Sequence, residues 1–136
     1  MAVRVALNGF GRIGRSVLRA ALSGGHDDIE IVAVNDIARP EMAAYLFEFD
    51  STFGPFRGTV ALEDGALVVN GRRLRLTGAR DLAEVDMADV DVVMECTGRA
   101  GDRAVAEAGL KAGAKKVLVS GPALSADFTV VLGAND

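Results

Sequence analysis

Residues 9–14 read GFGRIG, three glycines at the spacing G-x-G-x-x-G. Before them stands VRVALN (3–8), which is short, rich in β-branched residues and nearly all apolar. After them the apolar residues change period. Ile13, Val17, Leu18 and Leu22 fall on one side of a helix spanning 11–22. The stretch therefore reads as a strand, a glycine turn and a helix. A strand without a polar face is buried on both sides, which is the habit of parallel sheets. Each glycine has a reason at this place. Gly9 lets the chain leave the strand sharply, Gly11 presents no Cβ to an approaching pyrophosphate, and Gly14 lets the helix lie close on the sheet. The first N–H groups of such a helix have no internal partner, and the helix dipole favours an anion there.

The next pieces complete the unit. SGGHDD (23–28) ends the helix, with Gly24 and Gly25 as stops, and IEIVAV (29–34) is a second buried strand. A βαβ crossover of this kind is right-handed. Asp36 lies 22 residues past Gly14, at the end of the second strand. A carboxylate at that place takes the adenosine ribose hydroxyls of NAD. It also opposes the extra phosphate of NADP, a preference that nearby Arg39 blurs.

Farther along, residues 40–49 read as a short helix with Pro40 in its first turn. GTVAL (58–62), ALVVN (66–70) and RLRLT (73–77) read as a three-stranded meander, with turns at Asp64-Gly65 and Asn70-Gly71. VDVVMEC (90–96) is a buried strand. Residues 102–112 are helical, with Asp102 as N-cap and Gly113 as stop. KKVLVS (115–120) and FTVVLG (128–133) are read as two more parallel strands. The fold class is α/β: a doubly wound, Rossmann-type, mostly parallel sheet with helices on both faces and a small antiparallel hairpin insert. Residues 1–136 make one domain. CTG (96–98) and SGP (120–122) follow parallel strands at their carboxyl ends, where ligands of such sheets bind, so Thr97, Gly98 and Ser120 are candidates for the cleft.

Composition narrows the partners. The net charge is −4 at pH 7, with a pI near 5.0, which argues against a nucleic-acid backbone as main partner. One Cys and one His cannot build a zinc site, and one Cys forms no internal disulfide. No run approaches the roughly 20 apolar residues that span a bilayer. Charges and glycines interrupt the N-terminal apolar run, so it does not read as a signal peptide. The expectation is a soluble, cytoplasmic protein with no membrane and no nucleic-acid partner.

Several segments together are narrower than any dinucleotide fingerprint. NGFGRIGR (8–15), VND (34–36), FDSTFGPFRGTV (49–60), VNGRRL (69–74), ARD (79–81), ECTG (95–98), GAKKVLVSGP (113–122) and VLGAND (131–136) resemble phosphorylating glyceraldehyde-3-phosphate dehydrogenases, through essentially the whole chain. The resemblance implies an NAD-binding domain. By it, Arg12 and Ile13 meet the pyrophosphate, Asp36 holds the adenosine ribose, and Arg80 sits near the adenine. Thr97 and Gly98 line the cleft, Ser120 lies by the nicotinamide, and Asn8 and Asn35 orient the loops. The chain departs from the family at Cys96, where Ser is usual, at Phe53 (often His), at Ala100 (often aromatic) and at Gly121 (Ala).

The family's chemistry needs a thiolate nucleophile and a histidine base, and its S-N-A-S-C-T-T-N segment is not in this chain. Cys96 ends a buried strand, and His26 lies in the GGHDD loop, so the two do not make a catalytic pair. No residue here is assigned a catalytic role. The expectation is the cofactor half of a dehydrogenase, inactive alone, with a catalytic domain as docking partner and a homo-oligomer as the family's usual assembly. Two other readings compete: the cofactor domain of an erythrose-4-phosphate dehydrogenase, and a stand-alone NAD-binding module without chemistry. FAD and adenosyl-methionine folds share the glycines but not NGFGRIGR with DSTFG.

Overall fold

A computed structural model describes residues 1–135. Asp136, the last residue of the VLGAND match, lies outside the described residues. Seven strands form one sheet in the order β5-β6-β7-β2-β1-β8-β9. β1 (Val3–Asn8), β2 (Ile29–Asn35), β7 (Arg72–Thr77), β8 (Val92–Glu95) and β9 (Lys116–Val119) run parallel. The meander β5 (Val60–Glu63), β6 (Ala66–Val69) and β7 is antiparallel within itself. Its last strand pairs parallel with β2, so the meander continues the main sheet.

Alternation along β1 divides the core. Val5 and Leu7 face α1 (Arg12–Leu22) and α2 (Pro40–Glu48), joining Leu18, Val34, Ala43 and Phe47. Ala6 faces the other way, with Ala33, Val93 and Ala108 under α3 (Arg103–Lys111). The sheet is thus covered by helices on both faces, as the patterning predicts. Small residues on the α3 side bring that helix close: a Cβ on Gly109 would lie 2.8 Å from a Val117 methyl. Arg19 ties the first layer together. Its guanidinium donates to the Phe47 carbonyl (2.7 Å), near the end of α2, and lies over the Phe47 and Phe56 rings.

One register shift interrupts the ladder between β1 and β2. Val5 pairs with Ile31, but Ala6 pairs with Ala33. Val32 is the extra residue, and both Val32 and Ala33 face the α3 layer. Beyond the shift the pairing runs Leu7 with Val34 and Asn8 with Asn35.

The structure corrects two expectations and adds one element. Residues 128–133 are not a strand. β9 is the edge of the sheet, and no strand among the described residues is paired beyond it. Phe128, Val131 and Leu132 are exposed, and the segment is tied locally by Asn135, which accepts from Val131 N–H (2.6 Å) and donates to the Thr129 carbonyl (2.9 Å). β propensity without a neighbour makes no ladder. Ile13 leaves the apolar stripe of α1 and is exposed, because it stands at the open end of the helix, beyond the sheet. The added element is a two-stranded hairpin of β3 (Phe49–Asp50) and β4 (Gly54–Pro55), folded around Asp50, whose carboxylate accepts from the Thr52 and Phe53 amides at 2.7 Å.

Candidate functional site

Two hollows lie at opposite ends of the parallel strands. The one at the carboxyl ends has a volume of about 350 Å³ and is bordered by the β1–α1 turn, the residues after β2 and β7, and the residues after β8. It brings together Asn8, Gly9, Gly11, Asn35, Asp36, Arg80 and Thr97. Arg12 and Ile13 stand exposed at its rim as the first residues of α1, and Gly98 is the exposed residue between two lining positions. Gly14 is buried beneath the turn. Ser120 follows β9 and does not line the hollow. Ile37, Ala79, Cys96 and Arg99 also line it. The sequence reading assigned these four no role, although each adjoins a residue that it did name.

The glycine turn is shaped by contact. Gly9 has φ +97°, and a Cβ there would lie 2.8 Å from the Cys96 carbonyl carbon and the Thr97 nitrogen. A Cβ on Gly14 would collide with the Gly9 carbonyl oxygen. Gly11, in contrast, has nothing within 4 Å on its Cβ side, which leaves its backbone open to a ligand. Gly11 is also the N-cap of α1. No side chain caps the helix, and its first turn holds no acid. The leading amides are therefore free to receive an anion.

Asp36 stands at the end of β2. Its Oδ2 accepts from the Phe10 amide at 2.6 Å, and its Oδ1 accepts from the Ala38 amide at 2.8 Å. The carboxylate is thereby locked beside the glycine turn, with lone pairs left over for a diol.

Below it runs a buried polar chain across four strand ends. Thr77 Oγ1 donates to Asn35 Oδ1 (2.7 Å), Asn35 Nδ2 to Asn8 Oδ1 (2.9 Å), and Asn8 Nδ2 to Glu95 Oε2 (2.7 Å). Thr97 Oγ1 donates to Glu95 Oε1 (2.5 Å). Asn8, Asn35 and Glu95 are all buried. Sequence reading named the two asparagines and missed Glu95, because nothing in ECTG marks the acid as buried.

Burial pushes the Cys96 thiol up, and the Glu95 carboxylate adds to that against the opposing hydrogen bond with Ser120. His26 lies exposed before β2, at the other end of the strands, roughly 17 Å away by strand length.

The second hollow, about 540 Å³, lies at the amino ends of the strands and includes Arg4, Glu30, Arg73, Arg75 and Asp89. Its arginines are all paired with carboxylates. Arg4 pairs with Glu30 and Asp89, Arg75 with Asp89, and Arg73 with Glu63. It is larger, but it holds no free donor set comparable to the α1 amides. No helix among the described residues is long and apolar enough to cross a membrane.

Comparison with known proteins agrees with this geometry. Residues 3–103 match the family model described as glyceraldehyde 3-phosphate dehydrogenase, NAD binding domain. A glyceraldehyde-3-phosphate dehydrogenase of Xanthobacter flavus is 49% identical over 137 aligned residues, which cover 99% of this chain and 41% of that protein. Those of Cereibacter sphaeroides and Priestia megaterium are 47% and 44% identical, with 40% and 41% of their lengths covered. The chain thus spans about two-fifths of the relatives it matches. With a doubly wound sheet, a glycine turn under an open helix end and an acid after the second strand, the chain belongs to the family of glyceraldehyde 3-phosphate dehydrogenase NAD binding domains.

Proposed function

We propose that this chain is the NAD-holding part of a phosphorylating aldehyde dehydrogenase acting on glyceraldehyde 3-phosphate, and that it catalyses nothing by itself. One observation carries the reading: the Asp36 carboxylate, pinned by the Phe10 and Ala38 amides, stands beside the uncapped N-terminus of α1. A diol acceptor and an anion-binding helix end at this spacing suit a ribose joined to a pyrophosphate. The Gly9 and Gly14 contacts draw the turn tight against the residues after β8 and against itself, while Gly11 stays open on its Cβ side.

In this reading Asp36 binds the adenosine ribose. The free amides of Gly11, Arg12 and Ile13 receive the pyrophosphate, and the Arg12 guanidinium adds charge. Arg80 borders the adenine, Thr97 and Gly98 form the facing wall, and Ser120 lies toward the nicotinamide. Asn8 and Asn35 hold the strand ends in place. Bound NAD supplies a hydride acceptor. The thiol and histidine that the chemistry needs are not provided by Cys96 and His26, which stand at opposite ends of the sheet. A catalytic domain supplies them, and 1–136 is the cofactor domain.

The docking surface has support in one row of the sheet. Leu7, Met94 and Leu118 are register partners on the α1 face. Leu7 is buried, Met94 half-buried and Leu118 52% exposed. Apolar Leu124, Val130 and Leu132 are exposed after the same edge. Such a surface suits a second domain or another subunit. The single Cys and acidic balance suit a reducing, cytoplasmic setting.

Isothermal titration with NAD, NADP and ADP-ribose tests the reading, with Asp36→Ala as control. NAD binding that is lost in the variant, and is weaker for NADP, is the expected result. ADP-ribose matching NAD would show that the nicotinamide half contributes nothing without the catalytic domain. Absence of binding by all three sinks the proposal.

A further inference from the structure

The buried chain from Thr77 to Thr97 has a fixed direction, and its end bears on the cofactor cleft. The direction follows from two anchors that admit no alternative. Ala79 N–H donates to Asn35 Oδ1 (2.9 Å), and the Ala79 carbonyl accepts from Asn35 Nδ2 (2.9 Å). A backbone N–H only donates and a carbonyl only accepts, so the Asn35 amide cannot be turned round. Its Nδ2 therefore also donates to Asn8 Oδ1, which sets Asn8 with Nδ2 toward Glu95. At the other end a carboxylate accepts and does not donate. Glu95 Oε1 therefore accepts the hydrogen bond that the Thr97 hydroxyl donates. The Arg99 amide donates to the Thr97 oxygen at 3.2 Å. One lone pair of that oxygen is left, and Thr97 lines the cleft.

We propose that Glu95 is a positioning residue that makes Thr97 an obligate acceptor toward the cofactor, so that the cleft selects an O–H or N–H donor at this point. Glu95 touches no ligand itself: it is 1% exposed and acts through the hydroxyl it holds. The inference rests on the reading of this cleft as the dinucleotide site. Three kinds of donor on NAD share the required chemistry: a ribose hydroxyl, the exocyclic amine of the adenine and the carboxamide N–H of the nicotinamide. A phosphate oxygen does not share it.

Glu95→Gln reverses the end of the chain at nearly constant volume. Asn8 still presents Nδ2, so the new side chain turns its oxygen to Asn8 and its amide to Thr97. The Thr97 oxygen then accepts from the protein twice, and its proton points into the cleft. The test is a double-mutant cycle on NAD affinity in the intact protein, by isothermal titration, with Glu95→Gln, Thr97→Val and the pair. Each single variant is expected to weaken NAD about tenfold. The pair is expected to be no weaker than Thr97→Val alone, because Glu95 acts only through the hydroxyl. Losses that multiply in the pair, or an unchanged Glu95→Gln, overturn the proposal. A wild type that binds no NAD overturns the cofactor reading itself, and with it this inference. The NAD analogue carrying hypoxanthine and ADP-ribose identify the donor: coupling lost with hypoxanthine assigns the adenine amine, coupling lost with ADP-ribose assigns the carboxamide, and coupling kept with both assigns a ribose hydroxyl. A measurement on the wild type needs no variant to fold. The Thr97 hydroxyl proton should exchange slowly in the NMR spectrum, with contacts to Glu95. A proton exchanging at the solvent rate overturns the proposal.

Discussion

The two ends of the parallel sheet handle polar groups in opposite ways. At the amino ends, Arg4, Arg75, Glu30 and Asp89 meet as half-exposed ion pairs at 3.2–3.7 Å, each charge answered by another side chain. At the carboxyl ends, Asn8, Asn35 and Glu95 are buried and chained together, while the α1 amides above them have no side-chain acceptor. Charge matched at the surface leaves little to offer a ligand. A rigid, satisfied lower layer that holds unsatisfied donors above it is arranged to receive one. The larger hollow is therefore the less promising site.

The strongest way to break this contrast is at the glycine turn. Gly9→Ala forces a side chain into a positive-φ position, with Cβ 2.8 Å from backbone atoms after β8. It should cost about 3 kcal/mol of stability, read by chemical denaturation, and NAD binding should go with it. Next is Asp36→Ala. Its loss of the ribose acceptor should weaken NAD about 30-fold, while NADP, already opposed by the carboxylate, changes much less. Equal losses for both would remove Asp36 from the ribose. Third, Arg75→Ala at the opposite end should cost less than about 1 kcal/mol, since its ion pair with Asp89 is half exposed. NAD affinity should not change, and a change would mean that the two ends are coupled.

The smallest effect is the pH dependence. Asp91 is held below the usual carboxylate range by the Arg4 backbone amide and by Lys115, and Asp50 by the Phe53 and Thr52 amides. A carboxyl lowered in the folded state stabilises above its unfolded value of about 3.9, and that contribution is lost as pH falls through the lower folded value. Melting temperature should therefore drop below about pH 4, and Asp91→Asn should flatten that slope.

What was legible in the sequence was local. The period change at Gly9–Gly14 and the acid at residue 36 are properties of short segments, and the structure brings them together beside one cleft. What depended on neighbours was not legible. FTVVLG (128–133) has strand composition, but among the described residues no strand lies beside it to pair with. Glu95 looks like any acid after an apolar run, and its burial follows from Asn8 and Thr97 converging on it across two strand ends. Ile13 fits the helical stripe by count, yet α1 begins beyond the sheet and leaves it uncovered. By sequence the meander reads as an insert, because its own turns are antiparallel. Its membership of the main sheet is decided by the pairing of β7 with β2, 42 residues apart at Asn35 and Thr77.

The register shift at Val32 bears on chain length. Ile31 already faces one layer and Ala33 the other, so the two halves of β2 alternate correctly without the residue between them. A chain shortened by that one residue would keep Val5 opposite Ile31, Ala6 opposite Ala33 and Asn8 opposite Asn35. A chain shortened at Ala33 instead would put Val32 opposite Ala6 and keep the same pairing, whereas a residue inserted after the shift would displace the asparagine and the acid after it from the cleft. The middle of β2 is thus the one place in the strand where the chain can change in length without moving its polar end.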